Sequence, residues 1–73
     1  MLNLQARLIE ALVDYQGAME SLGEESAHIQ NWIYEARHGR ATSPRFRAWL
    51  QTQIDYYGPK DRSYAKCLQG LLD

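Results

Sequence analysis

Apolar residues along this chain recur at every third or fourth position, a period that supports helices and no strands. Leu4, Leu8 and Leu12 fall four apart, with Ile9 and Val13 widening the stripe, which predicts a first helix over about residues 3–13. Asp14 is expected to end it and to N-cap a second, short helix over about 15–22, whose apolar face is Tyr15, Ala18, Met19 and Leu22. Gly17 costs that helix roughly 1 kcal/mol against Ala, so either a neighbour packs close there or the helix leans on tertiary contacts. Gly23 tolerates positive φ and stops it. A third helix is predicted over about 25–37, with Ile29, Trp32, Ile33 and Ala36 inward and Ser26, His28, Gln30, Asn31 and Glu35 as its polar remainder. His38–Gly39 close it.

Ser43–Pro44 is a hydroxyl N-cap followed by proline at the first helical position, and it opens a fourth helix running to about Tyr57. Phe46, Trp49, Leu50, Ile54 and Tyr57 share one face of it. Gly58–Pro59 punctuates, and Asp61 caps a fifth helix over about 62–72 with Tyr64, Cys67, Leu68, Leu71 and Leu72 apolar. The expectation is an all-α, compact five-helix bundle, a single domain over residues 1–73 with 59–73 forming a C-terminal helix used for dimerisation. A domain of this size buries only about 60% of its unfolded surface, so dimerisation or a compact helical core is the usual remedy.

Charge is unevenly placed. The net charge is −1, but residues 1–35 hold one Arg and six acids, for −5, while residues 36–73 hold seven Lys/Arg and three acids, for +4. Arg37, Arg40, Arg45 and Arg47 fall within eleven residues that contain no acid. Lone Cys67 excludes an intrachain disulfide and a multi-cysteine metal site, and fits a reducing compartment. The opening MLNLQARLIE carries Glu10 and lacks the build of a secretory signal, and no apolar run approaches the roughly 18 residues that span a bilayer. A cytoplasmic protein with no membrane contact is expected.

The second and third helices, taken with ESLGEESAHIQNWI (20–33), resemble the helix-turn-helix of phage Cro/repressor-type and related bacterial regulators. Gly23 stands at the turn, and Leu22, Ile29 and Trp32 stand at the family's buried positions. Downstream, GRATSPRFRAWL (39–50) resembles the segment that opens the family's next helix. The likeness covers about residues 14–50. The chain departs from the pattern at Glu24, where an apolar residue is usual, at Glu25 in place of a Ser or Thr cap, at Met19 in place of a small residue and at Tyr15 in place of Gln. Physically, such a motif is two helices at a steep crossing, joined through a positive-φ residue, with the second helix's outer face free to reach base edges.

The resemblance implies a sequence-specific DNA-binding transcriptional regulator, such as a repressor, acting on double-stranded DNA as a homodimer. Helix three would read the major groove with Ser26, Ala27, His28, Gln30 and Asn31, of which Gln30 and Asn31 are types that pair bidentately with adenine. Arg37, Arg40, Arg45 and Arg47 would contact phosphates. Tyr64, Leu68, Leu71 and Leu72 would dimerise. Glu24 and Glu25 read most simply as carboxylates favourable at a helix N-terminus, and they subtract from phosphate affinity. Two other readings stand beside this one. A small helical interaction module, such as a phage-encoded inhibitor or an adaptor of a host protein, would work through its acidic half. An architectural factor would bend DNA. Trp32 and Trp49 lie on apolar stripes and read as core. His28 and His38 have no cysteine near them to complete a zinc set, so neither a metal nor another cofactor is expected. No Ser/His/Asp grouping, carboxylate pair or phosphate-cradling glycine loop stands out, and no enzyme is expected.

Overall fold

The computed structural model describes residues 3–73; residues 1–2, which open both the expected domain and the segment weighed as a leader, lie outside the described residues. The described residues form four helices and no strands: α1 (Leu4–Ser21), α2 (Ala27–Arg37), α3 (Pro44–Tyr57) and α4 (Arg62–Leu72). The all-α class holds, and the five-helix count does not.

The expected first two helices are one. Asn3 caps α1, its side chain accepting from the Gln5 N–H at 2.9 Å, and the helix runs through Asp14 without a break. The reason is the apolar stripe, which passes from Leu8 and Leu12 to Tyr15 and Met19 with no change of face. Asp14 and Gly17 fall on the exposed side, where an unfavourable propensity of about 1 kcal/mol or less is overridden by that continuous packing.

The joined helix also changes the pairing. Near one end of α1, Gln5 Nε2 donates to the carbonyls of Ala36 (3.1 Å) and Arg37 (3.2 Å), capping the C-terminus of α2. Near the other end, Gln30 Nε2 donates to Gln16 Oε1 (2.9 Å) and the Ser26 hydroxyl to Glu20 Oε1 (3.2 Å). α1 and α2 therefore run antiparallel as a hairpin. Gly23, at φ 75°, makes the turn. Leu22, expected inside, is 77% exposed.

α3 and α4 form a second antiparallel hairpin. The Tyr57 and Tyr64 rings meet edge-on at 4.9 Å at one end, and Arg47 donates to the Leu72 carbonyl at 2.9 Å at the other. Asp61 caps α4 as expected, accepting from the Tyr64 N–H. Arg7 ties the two hairpins together: its guanidinium lies 2.6 Å from Asp61 and 4.0 Å from the centre of the Tyr64 ring. This partnership raises the Arg7 pKa and lowers that of Asp61.

The core lies between the hairpins. Leu8, Leu12, Ile29, Phe46, Leu50 and Leu68 are fully buried. Trp32 sits at the centre of an aromatic group, 5.3 Å from Phe46, 6.0 Å from Trp49 and 6.2 Å from Tyr15. Among the described residues no helix is long and apolar enough to cross a membrane.

Candidate functional site

α2 has one face for the core and one for solvent. Ile29, Trp32, Ile33 and Ala36 are buried, while Ala27, Gln30, Asn31, Tyr34 and Arg37 form an exposed row at helical spacing. Tyr34, 63% exposed, packs its ring 4.1 Å from His38. The row begins beside the Gly23 turn and ends where the loop 38–43 begins.

The five residues expected to read bases are placed unequally. Ala27 and Asn31 are exposed, and among the described residues the Asn31 side chain has no hydrogen-bond partner within the chain. Gln30 is exposed but its amide donates to Gln16. Ser26 is half-buried and its hydroxyl turns to Glu20 instead of capping α2, although Ser26 does occupy the N-cap position in place of the expected Glu25. His28 packs against the edge of Trp32 at 5.1 Å, and its Nε2 is buried without a partner. His28 therefore belongs to the flank of the core.

The arginines divide as well. Arg37, Arg40 and Arg45 are exposed, and none is in an ion pair among the described residues. Arg37 shares a shallow cleft with Glu10 of α1. Arg47 is exposed too, but its guanidinium is engaged: it donates to the Ala41 carbonyl (2.9 Å) and the Leu72 carbonyl (2.9 Å), closing the C-terminus of α4 against the start of α3.

The expected dimer face is largely internal. Tyr64, Leu68 and Leu71 are all buried in the chain's own core, and only Leu72 remains partly open. With two hairpins instead of five helices, the apolar face of α4 is what α3 and the start of α1 pack upon.

Glu35, counted from the sequence among solvent-facing polar residues, holds the arginine loop in place. It is only 9% exposed. Its Oε1 accepts from the Thr42 N–H, the Thr42 hydroxyl (2.8 Å) and the Ser43 N–H (2.8 Å), and its Oε2 accepts from the Ser43 hydroxyl (2.6 Å). Burial by itself pushes this carboxyl's pKa up, but the four hydrogen bonds outweigh it and hold the group below its ordinary value. Ser43 thus occupies the N-cap position of α3 while its hydroxyl serves Glu35. The sequence held a faint signal: Thr42 and Ser43 each carry an N–H and a hydroxyl that can donate to a carboxylate, and Glu35 is the acid that precedes them.

Cys67 is half-buried beside a small cleft with Leu8, Ala36 and Gly39, and burial raises its thiol pKa. Among the described residues no group of three or more His, Cys, Asp or Glu could hold a metal ion. Compared with protein-family models, with curated proteins and with solved structures, the chain matches none.

Proposed function

We propose that the chain binds double-stranded DNA and acts as a transcriptional regulator, with α2 as the element turned toward the major groove. The observation that carries this reading is one outward row of small and amide side chains, Ala27, Gln30 and Asn31, that leads along α2 toward three unpaired arginines, Arg37, Arg40 and Arg45. Amide side chains recognise adenine edges, and arginines neutralise phosphates. Asn31, whose amide has no partner among the described residues, is the principal base reader; Gln30 contributes only by releasing Gln16. Glu35 supports the site indirectly by fixing the loop that presents Arg40.

The test is selection of bound duplexes from a random pool, followed by affinity measurement on the winners. Asn31→Ala relaxes sequence preference, whereas Arg40→Ala weakens binding to every sequence alike. Recovery of no enriched sequence, or equal loss on all sequences for both variants, overturns the reading.

A second reading is favoured by one specific observation. Glu10, Asp14, Glu20, Glu24 and Glu25 are all exposed on α1 and the turn, alongside α2, and they repel phosphate. A protein-interaction module would use that acidic side to hold a basic host protein. No mobility shift with mixed genomic fragments at low salt, together with a defined basic partner captured by the chain and lost on Glu24→Lys, favours this alternative.

A further inference from the structure

Gly17 sits inside the last turns of the 18-residue helix α1, and no neighbour explains it: a Cβ added there meets no atom within 4 Å. Glycine in a helix interior costs about 0.5–1 kcal/mol against Ala, and no close internal neighbour requires it here. It lies at the centre of the outward face of α1, where Glu10, Val13, Asp14, Gly17 and Glu20 share one side, opposite buried Leu8 and Leu12. Val13, on that face, is 51% exposed; Leu22, 77% exposed, ends the helix on the side opposite Val13, with Glu24 and Glu25 just beyond it. This is a surface with a flat spot, one bare aliphatic side chain and a rim of carboxylates.

The chain also carries the complement of that surface. Arg40 and Arg45 are exposed near the other end of the α1/α2 hairpin, since Gln5 bonds the last residues of α2. The described residues extend 33 Å along their longest axis, and the acidic turn and the arginine loop occupy opposite ends of that hairpin. We propose that the acidic face of α1, with the turn at Glu24–Glu25 beyond it, docks the arginine loop of a second copy of this chain, head to tail, with Val13 as the apolar anchor and Gly17 as the point of closest approach. Such a contact is heterologous, so it propagates or closes into a ring and does not stop at a two-fold dimer. It engages Arg40 and Arg45, so DNA and self-docking compete for them; the docking itself is measured without DNA and stands or falls separately from the DNA reading.

The experiment is sedimentation velocity of the full chain and two charge-reversed variants, Glu24→Arg/Glu25→Arg and Arg40→Glu/Arg45→Glu, at low and at 0.5 M-range salt (about one Debye length of 4–5 Å). All substituted positions are exposed, and circular dichroism verifies folding of each variant. The wild-type chain is expected to associate at low salt and dissociate at high salt. Each variant alone is monomeric, and mixing the two restores association, because the reversed turn of one then faces the reversed loop of the other. Gly17→Gln is expected to weaken wild-type association at least tenfold while leaving the fold intact. A wild-type chain that stays monomeric at low salt overturns the proposal. So does failure of the mixture to associate, or binding of an oligo-arginine peptide to the acidic face without self-association, which would assign that face to a foreign basic partner.

Discussion

Replacing Glu35 by Ala removes the acceptor for two backbone N–H groups and two hydroxyls at the start of α3. A hydrogen bond to a charged group contributes about 1.5–3 kcal/mol where it is shielded from water. Thr42 is exposed and Ser43 half-buried, so water recovers part of the loss, and the expected net destabilisation is about 2–4 kcal/mol. A chain of this length has a total stability of roughly 4–11 kcal/mol at the usual value per residue, so this single carboxylate is a large fraction of it. The melting temperature should fall by about 8–32 °C, taking about 4–8 °C per kcal/mol for a domain this small. Urea unfolding followed by tryptophan fluorescence reads the change, because Trp32 is buried in the core and Trp49 packs against it. The pH dependence supplies a sign check. Glu35 has a folded-state pKa below its ordinary 4.5, so its contribution is complete above that value and is lost as pH falls through the folded-state pKa. Glu35→Gln cannot titrate, so the stability gap between it and the wild type is expected to be widest above pH 4.5 and to narrow in acid. A loss below about 0.5 kcal/mol for Glu35→Ala, the range of ordinary surface substitutions, would refute the reasoning. So would a gap between wild type and Glu35→Gln that does not change with pH.

Three further outcomes are expected. Gly17→Ala stabilises the isolated chain by about 0.5–1 kcal/mol, since its φ is ordinary and its surroundings are open; a loss in thermal or urea unfolding would contradict that. Gly23→Ala destabilises by about 1 kcal/mol or more, because φ 75° is strained for any residue with a Cβ even though the space is free; unchanged unfolding would show that the turn has another conformation open to it. Trp32→Ala costs about 3–5 kcal/mol by emptying the aromatic centre of the core, and a small loss in the same assay would mean that Phe46 and Trp49 do not rest on it.

Much of the fold follows from the sequence because its strongest signals are local. Pro44 and Asp61 begin helices where their chemistry says they should, and the Ile29–Trp32–Ile33–Ala36 stripe turns inward as its spacing dictates. The missed features depend on tertiary context. Asp14 looks like a cap, yet a cap needs the chain to turn, and the continuous stripe through Leu12 and Tyr15 leaves no reason to turn there. Leu22 occupies an expected buried position and is bare, because the antiparallel hairpin carries it past the end of α2. Glu35 stands among the polar residues of its helix and Arg47 in a basic cluster, and residue type alone does not show that each satisfies backbone groups that only folding brings near, at Thr42–Ser43 and at Leu72. The candidate site was partly visible: Asn31, Arg40 and Arg45 stand exposed as expected, whereas His28 and the α4 residues Tyr64, Leu68 and Leu71 pack against the chain's own core and Arg47, though exposed, is hydrogen-bonded to backbone carbonyls.

The claim that Arg37, Arg40 and Arg45 contact phosphates is tested most directly by the salt dependence of duplex binding. Three phosphate contacts give a slope of log K against log salt of about −2.7, and each arginine replaced by alanine should lower its magnitude by about 0.9. A slope near zero, or one unchanged by Arg40→Ala and Arg45→Ala, would contradict the account.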